Sequence, residues 1–179
     1  PLDAGAVAYS LQRSLKLNKQ TSYWLRIIYL QDPNKIKALD SRTVELRLEK
    51  PVASTFALNT FCTQAYGIVN PKETEAHAKG GDMGFEWLDS HSAGSGPYVL
   101  DSWVRDNQIV LKANKNYWKG EPKIKKVIYK HVPEHVAQAL LLRKGDVDFI
   151  FGSGSVGLQP EVAEELRKAP GTTVHGRVE

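Results

Sequence analysis

The sequence predicts a mixed α/β fold, and three observations indicate it. From Pro97 onward, segments typical of strands and helices follow in the order strand, strand, strand, helix, strand, helix, strand. In "RTVELRLEKP", apolar and polar residues alternate, which is typical of a strand with one buried face. Val7, Leu11 and Leu15 recur at the spacing of an amphipathic helix. The 179 residues are 41% apolar, so a buried core is expected.

The first half of the chain predicts short elements of both types. Residues 4–16 predict a helix behind Asp3, whose carboxylate can cap the free amides of the first turn. The stretch "SYWLRIIYL" is apolar at most positions, so a strand and a buried helix both remain open. Residues 53–61 predict a short helix, "YGIVNP" a short strand, and "KETEAHAKGGDMG" a short surface helix followed by a loop.

The second half predicts a hairpin and then alternating elements. "PYVLDSW" and "QIVLKAN" are strand-like, and Asp106 and Asn107 between them suit the left-handed backbone of a tight connection. "KIKKVIYKHV" predicts a further strand, and "VAQALLLRK" a helix that ends at Gly145. "DVDFIF" predicts a strand, "PEVAEELRK" a helix with Pro160 at its first position, and "TTVHGRV" a final strand.

Charge is unevenly distributed over a chain whose net charge is +4. Seven lysines lie between Lys112 and Lys130, with Glu121 as the only acidic residue among them. Lysines interleaved with Tyr117 and Trp118 could contact a nucleic acid, because lysines neutralise phosphates and aromatic rings stack on bases. Neither face of the strand "KIKKVIYK" is purely basic, however. We therefore expect a solvated lysine-rich surface and no nucleic-acid partner.

Cysteine content and hydropathy exclude other classes of protein. Cys62 is the only cysteine, so the chain has no internal disulfide, and we expect its thiol to be buried among apolar residues. No segment approaches the roughly 20 uninterrupted apolar residues that a membrane span requires. The chain itself is therefore not expected to span a membrane.

One glycine motif gives an alternative function. Gly152, Gly154 and Gly157 satisfy G-x-G-x-x-G after a predicted strand, which is the pattern of a dinucleotide-binding enzyme domain. In that pattern the third glycine lies inside the helix, whereas Gln159 and Pro160 here begin the helix after it. The dinucleotide interpretation remains the alternative.

Other patterns for catalysis or metal binding are weak. His131 and His135 have the spacing of two metal ligands on a helix, but Pro133 lies between them and no third ligand is evident. Neither "GSGP" nor "GSGSVG" has the spacing that displays a nucleophilic serine. The sequence therefore predicts no catalytic residue, no metal and no cofactor.

An ordered set of motifs in the second half resembles a known family. The segment from "GSGPYVLDSW" to "LLLRKGDVDFIFG" is similar to the signature region of the family 5 extracellular solute-binding proteins, the peptide- and nickel-binding receptors of ABC importers. The matching positions are Gly94 to Tyr98, Trp103, Asn114, Asn116 to Trp118, Pro122, Lys123, Val127 and Gly145 to Asp148. In the first half, "PLDAGAVAYSLQR", "ALDSRTVELRLEKP" and "GIVNPKE" also resemble family segments.

The resemblance implies a fold and a domain organisation. It implies a fragment of a type II, cluster C periplasmic-binding-protein-like fold, because family members are several hundred residues long. Residues 1–93 would form part of a small α+β accessory subdomain, and residues 94–179 part of the ligand-facing α/β lobe. "SAGSGPYVLDSW" would then be the crossing between the two.

The resemblance also implies a function without catalysis. Receptors of this family close two lobes over a peptide or another small solute and deliver it to a membrane permease, from the periplasm or from an extracellular lipid anchor. The positions that match ligand-facing segments are Tyr23, Phe151, Gly152, Ser153 and Ser155. For Tyr23 simple core packing is the alternative, and for the glycine loop an ordinary connection is.

Overall fold

The computed structural model describes residues 2–63, 66–151 and 159–175. The chain divides into two compact units, the first formed by Pro1–Trp103 and Ile109–Ile128 and the second by Val104–Gln108 and Tyr129–Glu179. The elements are α1 (Ala4–Leu17), α2 (Ser22–Arg26), a 3-10 turn (Pro33–Lys35), β1 (Ile36–Ala38), β2 (Val44–Leu46), α3 (Ser54–Thr60), α4 (Pro71–Ala76), α5 (Phe85–Leu88), β3 (Tyr98–Val104), β4 (Gln108–Ala113), β5 (Lys126–Lys130), α6 (His135–Lys144) and α7 (Pro160–Lys168).

Helix α1 confirms the predicted first helix and its cap. The Asp3 carboxylate accepts a hydrogen bond of 2.8 Å from the Ala6 amide, which satisfies one of the free donors at the helix start. Asn18 ends the helix in the left-handed conformation. The apolar positions Leu11 and Leu15 are buried on the inner face, as the spacing predicted.

The main core of the first unit forms where α1 packs on the chain that follows it. Leu25, Ile28, Leu30 and Ile36 are almost completely buried and join the inner face of α1. Strands β1 and β2 pair antiparallel, with Ile36 opposite Leu46. The predicted strand at residues 43–49 is confirmed but shorter, and its partner β1 was not predicted.

The segment from α4 to α5 is held by polar and ring contacts. The Asp82 carboxylate accepts backbone hydrogen bonds from Lys79, Gly84 and Glu86 at 2.8, 2.9 and 3.0 Å. These bonds lower the pKa of Asp82 because they stabilise its charged form, and the bond from the Lys79 amide has the largest effect.

A stack of three rings lies in the same segment. The indole of Trp87 stacks between the imidazoles of His77 and His91, with centroid distances of 4.3 and 4.6 Å and interplanar angles of 10°. Each imidazole also lies within hydrogen-bond distance of a backbone carbonyl four residues earlier. The stack therefore joins the end of α4 to the residues that follow α5.

The second sheet is three-stranded in the order β3-β4-β5. The predicted hairpin is confirmed: Asp106 adopts the left-handed conformation, with φ 56°, and the Asn107 amide donates to the Val104 carbonyl. Strand β5 runs antiparallel to β4, since the Ala113 amide donates to the Lys125 carbonyl at 2.9 Å and the His131 amide donates to the Asn107 carbonyl at 2.7 Å.

The second unit contains a small core between α6 and α7. Ala139, Val162 and Leu166 are buried there, and Arg143 of α6 pairs with Glu165 of α7 at 3.1 Å. Gly145 ends α6 with φ 75°, as predicted from its position. Helices α6 and α7 are therefore confirmed, and Pro160 lies in the first turn of α7.

Three sequence expectations are wrong, and a fourth lies partly outside the described residues. "YGIVNP" and "DVDFIF" form no strand in the described residues, and neither do residues 172–175 of the predicted last strand, whose remaining residues lie outside the described ranges. These segments contain apolar residues typical of strands, but no described strand pairs with them. Cys62 is exposed rather than buried, since it follows the C-cap of α3 in a turn. No described helix is long and apolar enough to cross a bilayer.

Candidate functional site

Tyr23 projects from α2, a helix of only five residues that is fixed by its inner face. Ser22 and Leu25, three positions apart, are buried, and the Ser22 hydroxyl donates to the Lys19 carbonyl at 2.8 Å. Arg26 donates to the Asn18 side-chain oxygen at 3.0 Å. Because both ends and one face of the helix are held, Tyr23 and Trp24 face outward.

The two adjacent aromatic rings form an exposed pair. Tyr23 is 59% exposed and Trp24 is 40% exposed. Their centroids are 5.5 Å apart at an interplanar angle of 75°, the edge-to-face arrangement that aromatic rings prefer. Tyr23 therefore does not pack in the core of the first unit. Trp24 was not among the predicted site residues, although its place beside Tyr23 in "SYWLR" was a signal for it.

The chain leaves α2 through a strained residue. Tyr29 adopts φ 59°, and the Leu30 amide donates to the Leu25 carbonyl while the Tyr29 amide donates to Arg26. This is the Schellman pattern of helix ends, in which a left-handed residue is usually glycine. The Tyr29 ring lies 5.4 Å from the Lys50 ammonium, and its carbonyl accepts from the Glu49 amide at 2.9 Å. These contacts stabilise the exit of the chain from the aromatic pair.

Phe151 is the one residue of the second predicted segment that the structure describes. Its side chain is 78% exposed and lies in the second unit. Gly152, Ser153 and Ser155 lie outside the described residues, as do Gly154 and Gly157 of the glycine motif. Their predicted contributions to a ligand site stay predictions.

Further exposed apolar side chains accompany Phe151 in the second unit. Phe149 is 57% exposed, and Val136 and Leu140, one turn apart on α6, are also exposed. Ala139 of the same helix is buried. The second unit thus has exposed apolar side chains that do not pack in its own small core.

No metal site is indicated among the described residues. They contain no group of three or more His, Cys, Asp or Glu side chains placed to hold a metal ion. The segment "HVPEH" is the end of β5, a loop and the start of α6, so His131 and His135 do not share a helix face. Exposed rings such as those of Tyr23 and Trp24 can contact apolar groups of a ligand.

The sequence as a whole matches one protein family. The model of the bacterial extracellular solute-binding proteins, family 5, matches residues 1–178. The chain belongs to this family. As a family 5 solute-binding chain it has the mixed α/β architecture predicted from its sequence, and its relatives are substrate-binding proteins rather than enzymes.

Curated relatives of this family 5 chain are named for peptide ligands. It is 34% identical over 148 residues to the probable D,D-dipeptide-binding periplasmic protein DdpA of Escherichia coli, which is 83% of this chain and 27% of the relative. It is 27% identical over 150 residues to the glutathione-binding protein GsiB of Salmonella paratyphi A, again 83% of this chain and 27% of the relative. The chain therefore spans about a quarter of the length of these relatives.

Solved structures show the same fold. The family 5 chain resembles the periplasmic binding protein DppA from Helicobacter pylori, which is ABC transporter-associated and was solved in complex with the peptide STSA: the TM-score is 0.72 at 21% identity, over 94% of this chain and 33% of that chain. NikA from Brucella suis, in complex with Fe(III)-EDTA, gives a TM-score of 0.67 at 19% identity over 93% of this chain and 31% of that chain.

Proposed function

We propose that this chain contributes part of the substrate-binding component of an ABC importer that takes up di- or oligopeptides. The solute would bind in a cleft between two lobes and pass to a membrane permease, and the protein would act in the periplasm or from an extracellular lipid anchor. The single observation that carries the proposal is the family match over residues 1–178, and the similarity to DdpA favours peptides as the solute class.

This binding mechanism requires no catalytic residue. A two-lobed receptor gains its affinity from contacts that neither lobe makes alone, so ligand shifts the population toward the closed form. An extended peptide can bind like an added strand, through main-chain hydrogen bonds that tolerate different side chains. The surface supplied by each lobe then needs exposed rings and backbone groups rather than an acid–base pair.

Two segments are proposed as ligand contacts. Tyr23 with Trp24 would cover an apolar part of the solute, because both rings are exposed and lie edge to face. Phe151 with Gly152, Ser153 and Ser155 would supply a second contact, and the exposure of the Phe151 side chain supports this. The remaining contacts with the solute would come from other parts of a receptor as long as the relatives.

The proposal is tested by calorimetry with dipeptides and tetrapeptides on a polypeptide extended to the length of the relatives. We expect Tyr23→Ala to weaken peptide binding about tenfold, which is the loss typical of removing one aromatic anchor. Leu39→Ala is the matched control, because Leu39 is 60% exposed and Tyr23 59%. Equal affinities of both variants would refute the role of Tyr23.

The same polypeptide also tests the receptor class. We expect no thermal stabilisation by NAD or NADP, whereas a ligand that binds only the folded state raises its stability by mass action. Saturable stabilisation by either dinucleotide would favour the enzyme alternative at Gly152, Gly154 and Gly157. The 179 residues alone should bind peptides poorly, and micromolar or tighter binding by them would contradict the placement of the contacts.

A further inference from the structure

The connection between β4 and β5, residues 114–125, is a loop whose two ends are held together. The Ala113 amide donates to the Lys125 carbonyl at 2.9 Å across the base of the loop. The side-chain amide of Asn114 donates to the Gly96 carbonyl at 2.9 Å, which fixes the first residue of the loop to the chain before β3. Because six residues on either side must return to this base, no Cα of the loop can lie more than about 20 Å from it. Its side chains therefore belong to one small surface.

Two hydrogen-bonded turns within the loop display a tryptophan. The Tyr117 amide donates to the Asn114 carbonyl at 3.1 Å, and the Gly120 amide donates to the Tyr117 carbonyl at 2.9 Å. Trp118, which lies between these bonds, is 75% exposed. The Lys119 ammonium lies 4.7 Å from the centre of the Trp118 ring, close enough for a cation–π contact. The loop thus presents an exposed indole with a cation against it.

The same loop combines a second exposed apolar side chain with excess positive charge. Ile124 is 64% exposed, and its carbonyl accepts a hydrogen bond of 3.1 Å from the Tyr98 hydroxyl. Four lysines and one glutamate in residues 114–125 give a net charge of +3. Of the four lysines, Lys125 pairs with Glu121 at 2.9 Å. The other three are exposed and form no ion pair with a residue that the structure describes: Lys115, Lys119 and Lys123.

The composition of the loop favours a lipid surface over a protein or a nucleic acid. Protein interfaces are enriched in arginine and depleted of lysine, whereas every cationic residue of the loop is a lysine. Single-stranded nucleic acids stack on aromatic rings, and the aliphatic side chain of Ile124 offers no such surface. At a bilayer surface, tryptophan lies at the level of the headgroups, apolar side chains enter the acyl boundary, and lysines attract anionic lipids. The loop carries all three kinds of side chain.

We propose that the loop 114–125 docks on a membrane surface rich in anionic phospholipid, with Trp118 and Ile124 in the headgroup region and the three exposed lysines beside lipid phosphates. The inference goes beyond the proposed function, because a receptor can bind peptides with or without this contact. Docking would hold the receptor near the membrane that contains its permease. Each lysine contributes a modest attraction that salt screens, so the contact should be reversible and should weaken as ionic strength rises.

The test is cosedimentation of the polypeptide extended to the relatives' length with lipid vesicles. We expect binding to vesicles of equal parts phosphatidylcholine and phosphatidylglycerol to be at least about tenfold tighter than to phosphatidylcholine alone. Lys119→Glu with Lys123→Glu should weaken binding to the mixed vesicles at least about tenfold. The control reverses Lys37 and Lys72, two exposed lysines outside the loop, and makes the same change in net charge. Equal losses in the two double variants, or no binding to the mixed vesicles, would overturn the proposal.

Tryptophan emission tests which side chain enters the lipid surface. Addition of mixed vesicles should shift the emission of the wild-type polypeptide to shorter wavelength, because an indole that leaves water emits at higher energy. Trp118→Phe should abolish this shift, whereas the control Trp103→Phe, at a position 41% exposed, should keep it. A shift that survives in Trp118→Phe would refute the placement of Trp118. Tighter binding to a single-stranded oligonucleotide than to the mixed vesicles at the same salt concentration would refute the lipid partner.

Discussion

Gly84 offers a sharp test of how the α4–α5 segment is built. It has φ 71°, and a Cβ added there would lie 2.5 Å from the Thr74 carbonyl oxygen and 3.0 Å from the Thr74 Cα. Thr74 cannot retreat easily, because it is completely buried and its hydroxyl bonds to Tyr9 at 2.9 Å and to the Pro71 carbonyl at 3.0 Å. Gly84→Ala therefore combines backbone strain with a collision between backbone atoms.

The control separates these two costs. Gly81 has φ 81°, but a Cβ there would meet nothing within 4 Å. A left-handed alanine costs about 1–2 kcal/mol, so Gly81→Ala should lose about that much unfolding free energy. Forced displacement of packed atoms costs about 1–3 kcal/mol more, so Gly84→Ala should lose about 2–5 kcal/mol.

Urea unfolding followed by tryptophan fluorescence is the suitable assay. All four tryptophans, Trp24, Trp87, Trp103 and Trp118, lie in the first unit, so their emission reports the unit that contains both glycines. If Gly84→Ala and Gly81→Ala are destabilised to within about 0.5 kcal/mol of each other, the close approach to Thr74 is refuted.

Two further predictions concern the same unit. Asp82→Asn should make the stability of the protein less dependent on pH in acid. The pKa of Asp82 is lowered in the folded protein, so the carboxylate stabilises the fold fully above its unfolded pKa of about 4. This stabilisation is lost as the pH falls through the lower folded pKa. The difference in urea midpoint between wild type and variant should therefore shrink below pH 4, and a constant difference would contradict this. Leu25→Ala should lower the unfolding free energy by about 2–5 kcal/mol, because it leaves a cavity beside Ile28. The control Leu58→Ala, at an exposed position, should lower it by less than about 0.5 kcal/mol. Equal urea midpoints for the two variants would contradict the position of the core.

Sequence patterns predicted the elements that local chemistry determines. The Asp3 cap, the end of α6 at Gly145 and the turn at Asp106 each depend on a residue with a specific backbone or hydrogen-bond role, and all three are confirmed. By contrast, "DVDFIF" has the composition of a strand but forms none in the described residues. A strand needs a neighbour, and alternation of side chains does not reveal which neighbour is present.

The candidate site residues were predicted for a different reason. Tyr23 and Phe151 were identified by resemblance to a family; both side chains are exposed, and their contacts with a ligand stay predictions. Trp24 was missed because the apolar run "SYWLRIIYL" does not show which side chains face inward and which face outward. The structure shows that the helix covers Ser22–Arg26 and buries Ser22 and Leu25. The left-handed Tyr29 was likewise unpredictable, since glycine or asparagine is the usual signal for that conformation.

The order of β3, β4 and β5 has a consequence for how the chain folds. Each strand is adjacent in space to the next in sequence, with three residues between β3 and β4 and twelve between β4 and β5. Short connections cost little closure entropy, so such a meander can form rapidly from a continuous segment. We therefore expect this sheet to nucleate early, even while the remaining chain is still emerging from the ribosome.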